Sequence, residues 1–348
     1  MSITGRTIDL IELGRSGNVQ AIPTGIPKFD EFLHGTQQRT MYLYGAETGV
    51  GKTAFVRDKH VHTAYEYYKL INDPSRLDVL FVDFSLEISP EMSMASAMSR
   101  KIFHDYQKVI PVESLLKELS DEDKLIVDHI TPYFQEFEQK MLVFDEDITP
   151  NKYHDILLQI AKANGTFTRE GRIISECGDY TPHNPNLYVI IVMDTVNLAE
   201  TDSNHITVKS TIDRISRISV WFRNKCRFTP IIIQQFNADI SATDRKRYGV
   251  KTPLLRDFED SKRTTKDAEI VIGLYDPSRH MTEEDIAFKG YDIITLKSWF
   301  RSLHILKNRR GQTNKFIPLK FDGALGLFEQ LKDARDMTSD DYINATRH

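Results

Sequence analysis

The sequence predicts an α/β fold: a mostly parallel central sheet flanked by helices on both faces. Three observations predict it. Apolar runs of strand length recur between segments with helical spacing. Two of those runs, Val79–Phe84 and Leu187–Met193, are nearly continuous rather than alternating, as strands buried on both faces are. The run Met41-Tyr42-Leu43-Tyr44 leads directly into Gly45-Ala46-Glu47-Thr48-Gly49-Val50-Gly51-Lys52-Thr53, which reads as a phosphate-binding loop between a strand and a helix.

Taken in order, residues 1–20 are mixed, with a weakly amphipathic piece (Ile8, Leu10, Ile11, Leu13) that reads as a linker, a docking helix or a frayed terminus. Ile22–Pro27 reads as a turn, and Lys28–Leu33 as a short helix ended by Gly35. After the loop, Ala54–Leu70 predicts a helix. The strand Val79–Phe84 ends in Ser85-Leu86-Glu87-Ile88-Ser89-Pro90, with a Met- and Ala-rich helix behind it. Residues 101–165 read as largely helical, with breaks near Pro111 and Pro150. Residues 166–186 carry Gly, Pro, Asn and Asp and predict a surface loop. Cys177 and His183 fall there, and two lone ligands make a poor metal site. Leu187–Met193 predicts a strand closed by Asp194, and Pro230–Ile233 one closed by Gln234 and Gln235. Ile270–Leu274, Ile293–Leu296 and Leu303–Leu306 read as further strands, and 315–320 with 325–328 as a hairpin. The charged stretch Lys332–His348 is expected to be loosely held.

Length allows one large α/β domain or two small ones. No apolar run approaches a membrane span, and the first residues do not read as a signal peptide. Cys177 and Cys226 cannot by themselves make a disulfide framework or a structural zinc site, so a reducing interior compartment is expected. The formal net charge of −5 does not announce a nucleic-acid partner, which would need a local basic surface or channel. Two such runs exist: Arg245, Lys246, Arg247, Lys251, Arg256, Lys262, Arg263 and Lys266, and then Lys307, Arg309 and Arg310. Each is equally readable as a solvated face.

The loop has a definite chemistry. Its backbone N–H groups and the following helix N-terminus suit an anion. Ala46, Glu47, Thr48, Gly49, Val50, Gly51, Lys52 and Thr53 are therefore the expected nucleotide contacts, with Lys52 on the β- and γ-phosphates and the Thr53 hydroxyl on Mg²⁺. Ala46 stands where the strict pattern has Gly, and Gly45 and Gly49 beside it supply the backbone freedom. A triphosphatase needs a second Mg²⁺-organising carboxylate. Asp194 at its strand end fits, with a helix cap as the competing reading. Hydrolysis also needs a group that polarises the attacking water. Glu87 is the candidate, and Asp83 the competitor within the apolar run. Gln235 could sense the γ-phosphate or simply end a strand. All four features lie at carboxyl ends of strands, where ligands sit in such folds.

In order, these residues resemble the motor domain of DnaB-type replicative helicases, a branch of the RecA-like ATPases. Ile22-Pro23-Thr24-Gly25-Ile26-Pro27-Lys28-Phe29-Asp30 is similar to the segment before that family's ATP site, which often has Ala at the first loop position. Phe84-Ser85-Leu86-Glu87-Ile88-Ser89 resembles its catalytic-glutamate motif. Asp194-Thr195-Val196-Asn197-Leu198 resembles its Walker B segment with a variant tail, and Gln235-Phe236-Asn237 its sensor glutamine. Lys266-Asp267-Ala268-Glu269 resembles the segment after its DNA-binding loop. Lys307-Asn308-Arg309-Arg310-Gly311 resembles a basic finger that reaches a neighbouring subunit's ATP, and Phe321–Phe328 the terminal strands.

The resemblance covers about residues 21–330. It implies a RecA-like motor domain there, with 1–20 as a linker or docking segment and 331–348 as a tail. It also implies a homo-oligomeric ring, expected to be a hexamer, that hydrolyses ATP with Mg²⁺ between subunits. Lys307 and Arg309 would act in trans, and single-stranded DNA would occupy the channel. Two departures stand out. Family members carry an N-terminal collar that meets primase. Some 20 residues precede the matched segment, which puts a primase or loader partnership in question. The DNA-contacting loop usually offers an Arg where Glu259 stands, so Lys262 and Arg263 are the expected phosphate contacts. The expected function is an ATP-dependent DNA helicase of replication. Its competitors are a RecA-like DNA-binding ATPase that does not unwind, and an assembly protein that only binds ATP. The expected location is the cytoplasm, bacterial or, for a viral protein, that of the host.

Overall fold

The computed structural model describes residues 21–117, 119–202, 204, 207–237, 252–258, 262–280 and 287–347. The segment 1–20, the basic residues Arg245, Lys246, Arg247 and Lys251, and Glu259 lie outside these.

Each long apolar run forms a strand of one sheet. In chain order these are β1 (Tyr42–Ala46), β2 (Asp78–Ser85), β3 (Met141–Phe144), β4 (Leu187–Asp194) and β5 (Thr229–Gln235). β6 (Ile270–Tyr275), β7 (Phe300–Asn308), β8 (Lys315–Asp322) and β9 (Leu327–Gln330) follow. Among the described residues they make a nine-stranded sheet in the order β9-β8-β7-β6-β1-β5-β4-β2-β3. From β6 to β3 all neighbours are parallel, while β7, β8 and β9 complete the other side antiparallel. β1 lies between β5 and β6, strands far from it in sequence. Its carboxyl end therefore opens where the chain reverses its direction of winding, the usual place for a ligand crevice.

The helices are α1 (Pro27–Leu33), α2 (Lys52–Val56), α3 (Thr63–Ile71), α4 (Pro90–Tyr106), α5 (Val112–Leu115) and α6 (Asp121–Glu138). After these come α7 (Pro150–Ala163), α8 (Val208–Cys226), α9 (Lys262–Asp267), α10 (Ile293–Leu296) and α11 (Ser339–Ala345). They cover both faces of the sheet. Leu43, Val82, Ile191 and Ile232 share one apolar layer with Tyr153 and Leu157 of α7 and Ile212, Ile215 and Phe222 of α8. Tyr44, Phe81, Ile190 and Ile231 share the other with Phe55 of α2, Ala64 of α3, Ile102 of α4 and Phe134 and Phe137 of α6. Burial on both faces is why the central strands are apolar at successive positions. Each large side chain so buried contributes about 1.5–3 kcal/mol.

Four readings of the sequence are corrected. Met141–Phe144, within the stretch read as helical, is the edge strand β3, paired in parallel with Phe81–Phe84. Its outer position leaves Leu142 and Val143 more than a third exposed, so it lacks the flanking pattern of a central strand. Ile293–Leu296, read as a strand, is the single helical turn α10, capped by Asp292, whose carboxylate accepts from Thr295 N at 3.1 Å. The run 166–186 contains a small antiparallel pair, Gly165–Phe167 with Tyr180–Pro182, and it buries Cys177. The C-terminal stretch holds α11, with Ala345 buried and the Tyr342 hydroxyl accepting from Asp292 N.

The helix after the phosphate loop forms as expected but contains a π turn, Arg57–His62, between α2 and α3. A π turn adds a residue to the helical cycle and redirects the side chains around it, and such turns are frequent at functional sites.

Candidate active site

Strand register brings the site together. Ser85 of β2 pairs with Asp194 of β4, and Ala46 of β1 pairs with Gln235 of β5. Glu87 lies two residues beyond Ser85, and the phosphate loop begins where β1 ends.

The loop depends on glycine at Gly51, where φ is +101° and the backbone turns into α2. Gly49 also has a positive φ of +75°. Gly45 has a different role from the one expected of it. A Cβ there would lie 2.2 Å from the Phe236 ring and 2.4 Å from the Phe258 ring, so it makes room for two aromatics and supplies no unusual φ.

Lys52 and Thr53 are buried at the head of α2. Lys52 Nζ lies 3.6 Å from Glu87 Oε2. The Thr53 hydroxyl donates to Asp194 Oδ1 at 2.9 Å. Asp194 is fully buried, and its Oδ2 accepts no hydrogen bond, although Arg57 Nη2 stands 3.4 Å away. Burial pushes the Asp194 carboxyl up to about 6, against the opposing pull of Arg57. A buried carboxylate with an unsatisfied oxygen beside a threonine hydroxyl is the donor set that a hard divalent cation takes, so these residues fit Mg²⁺.

Gln235 donates its backbone N–H to Asn197 Oδ1 at 3.0 Å, which links the end of β5 to the turn after Asp194. Its neighbour Gln234 is buried and accepts from the Thr264 hydroxyl of α9 at 2.8 Å. Lys262 is exposed on α9, and Arg263 pairs with Asp267 at 3.1 Å on the same helix.

Lys307 and Arg309 do not join this cluster. β7 runs antiparallel to β6, so Asn308 pairs with Ile270, which in turn pairs with Tyr42 at the start of β1. They therefore sit at the opposite end of the sheet, on the order of 15–20 Å from the loop at 3.3 Å per residue. Lys307 Nζ donates to the carbonyls of Thr265, Lys266 and Ala268, at 2.7, 3.0 and 2.7 Å. Arg309 is exposed and donates to Lys266 O at 2.6 Å.

Sequence reading missed the groups that hold the loop. Arg279 donates to Thr48 O at 2.7 Å and Gly49 O at 3.0 Å, and Arg301 donates to Val50 O at 2.9 Å. Both guanidiniums pair with Asp276, at 3.3 and 2.9 Å, and His280 Nε2 lies 2.6 Å from Glu47 Oε2. With three successive carbonyls held, the loop backbone is fixed in place from the ends of β6 and β7. Arg57 was missed as well. It is buried on Asp83, with Nε donating to Oδ2 at 3.1 Å, which makes Asp83 an ion-pair partner inside the fold. A charge on the first helix and an opposite charge within an apolar strand were the available signal.

The chain matches the family described as the DnaB-like helicase C terminal domain over residues 21–330. It is similar to the replicative DNA helicase DnaB of Helicobacter pylori, with 27% identity over 275 residues, which is 77% of this chain and 47% of that protein. The chain thus spans about half the length of that relative. Its fold is like that of a solved structure described as an ATPase domain, with a TM-score of 0.68 and 19% identity, covering 95% of this chain and 99% of that one. It is also like that of a DnaB-like replicative helicase described together with its interactions with primase, with a TM-score of 0.64 and 20% identity, covering 95% and 67%.

Proposed function

The chain belongs to the DnaB-like helicase C-terminal domain family, and from that premise we propose that it is an ATP-driven DNA helicase motor that hydrolyses ATP between subunits of a ring. The observation that carries this reading is a division of groups. Lys52, Thr53, Glu87 and Asp194 converge at one end of the sheet, and the basic pair Lys307 and Arg309 lies at the other. Within one chain the pair cannot meet the loop. In a ring, the head of one subunit would face the finger of the next.

In this reading the loop N–H groups and Lys52 bind the phosphates, and Thr53 and Asp194 hold Mg²⁺. When bound, the ion supplies charge neutralisation on the phosphate oxygens. Glu87, solvent-facing and beside Lys52, orients the attacking water and takes its proton. Gln235 reports the γ-phosphate to the segment that follows β5. Arg309, from the neighbour, neutralises charge that develops on the transferred group, and Lys307 supports it. Single-stranded DNA is gripped through its phosphates, with Lys262 and Arg263 as the proposed contacts among the described residues. The ring is proposed as a hexamer acting in replication. Its place would be the cytoplasm of a bacterium or of a virus-infected host. No helix among the described residues is long and apolar enough to cross a membrane.

A mixing experiment tests the shared site. Arg309→Ala and Lys52→Ala subunits are each expected to be inactive alone. Mixed, they should recover part of the single-stranded-DNA-stimulated ATPase activity, because the first keeps an intact loop and the second an intact finger. Absence of recovery at every ratio would sink the shared site. ATPase stimulation by DNA without opening of a forked duplex would instead favour a DNA-binding ATPase that does not unwind.

A further inference from the structure

Arg57 meets Asp194 directly, and it meets the turn that carries Glu87 through Ser85. Its Nε and Nη2 donate to Asp83 at 3.1 and 3.2 Å, and Nη2 also donates to Ser85 Oγ at 2.7 Å. The same Nη2 lies 3.4 Å from Asp194 Oδ2, the oxygen with no hydrogen bond. Ser85 in turn donates to Ile88 O at 2.5 Å, across the turn that carries Glu87, and Leu86 N donates to Asp194 O at 2.7 Å. One guanidinium therefore ties the end of β4 to the turn after β2. It can do so because it stands four residues after Thr53, on the same face of the helix that begins with Lys52 and Thr53, and is buried there.

We propose that Arg57 is a positioning residue for ATP hydrolysis: it fixes the Asp194 carboxylate and the Glu87 turn relative to each other. This rests on the reading of the site as an ATPase. Two features favour positioning over a simple field effect. Arg57 is matched by Asp83, so the pair brings no net charge to the metal position. The guanidinium is planar and forked, and it sets orientation where an ammonium would set only proximity. Removing Arg57 alone would strand Asp83 in the core, so the informative variant removes both charges.

The test is the double variant Arg57→Met/Asp83→Asn, which leaves net charge unchanged. Its folding is checked by circular dichroism, and binding is read with a fluorescent ATP analogue in EDTA and then in Mg²⁺. Binding in EDTA is expected within about twofold of wild type. The gain in affinity on adding Mg²⁺ and the kcat for ATP are both expected to fall by about 10- to 100-fold, the usual cost of losing a group that orients a metal ligand. Ser85→Ala, which cuts only the link to the Glu87 turn, should lower kcat and leave the Mg²⁺-dependent affinity alone. A folded double variant with wild-type Mg²⁺ response and kcat overturns the inference. If the double variant does not fold, Arg57→Lys decides: unchanged kcat and Mg²⁺ response overturn it, and a partial loss of both supports it. A wild-type protein that hydrolyses ATP beside an unaffected variant refutes this role alone. A wild type that binds no nucleotide refutes the ATPase reading and this role with it.

Discussion

Asp194 is placed where folding and chemistry disagree. Its carboxyl, ordinarily near 3.8, is pushed up to about 6 by burial. A folded value above the unfolded one means that this group's stability contribution is present below about pH 4 and is lost as pH rises through 6. At neutral pH the ionised carboxylate is therefore a cost to the metal-free protein. Asp194→Asn should raise the melting temperature in metal-free buffer, by about 1–3 kcal/mol of stability, and abolish Mg²⁺-dependent turnover. A lower melting temperature would contradict the account. Glu87→Gln makes a different prediction, because Glu87 is solvent-facing and contributes to no core. Nucleotide affinity should be retained while turnover drops by about 10²–10⁴-fold. Normal turnover would remove Glu87 from its role. At this scale Lys52, Thr53, Glu87 and Asp194 were legible because loop spacing and strand ends are local features of sequence. Arg57, Arg279 and Arg301 were not, because their partners lie far along the chain and nothing local marks a guanidinium as inward-facing.

Elements were legible where burial is two-sided. β1, β2, β4, β5 and β6 announce themselves by continuous apolar runs. β3 is a short edge strand and α10 a four-residue turn, and each carries too few residues for its period to show. The phosphate loop was legible as a loop, but its support was hidden. Three consecutive carbonyls, of Thr48, Gly49 and Val50, are held by two arginines that share Asp276. That support comes from the ends of β6 and the start of β7, so nucleotide affinity should depend on strands outside the loop. Arg279 is the half-exposed member, and its removal should spare folding. Arg279→Ala is expected to weaken ATP binding about 3- to 10-fold by equilibrium titration, with the melting temperature little changed. Wild-type affinity would show that the loop holds its shape unaided.

For the molecule as a whole, acid acts through buried histidines outside the cluster of Lys52, Thr53, Glu87 and Asp194. His60 is buried between the Thr36 and Tyr44 hydroxyls, and His304 is buried beside Ser302. Burial lowers each to about 3 from 6.5. The unfolded chain then binds more protons than the folded one below pH 6.5, so stability is lost as pH falls from 6.5 toward 3. Each histidine should cost about 2 kcal/mol by pH 5, which outweighs the smaller opposite contribution of Asp194. The urea midpoint should therefore drop between pH 7.5 and pH 5, and an unchanged midpoint would refute the burial of both rings. The parallel layout was legible as a whole because alternating strands and helices leave few ways to cover both faces. The end at which Lys307 and Arg309 lie was not, since it follows from β7 running against β6. That placement has one last consequence. The ammonium of Lys307 is spent on three carbonyls that end α9, the short helix that begins with Lys262 and Arg263. A single ammonium cannot serve two masters. If another copy's phosphate draws it outward, those carbonyls are left to water and the helix loses its stopper. Occupancy at a foreign site would then be felt as slackness in a basic helix, with no change of fold between them.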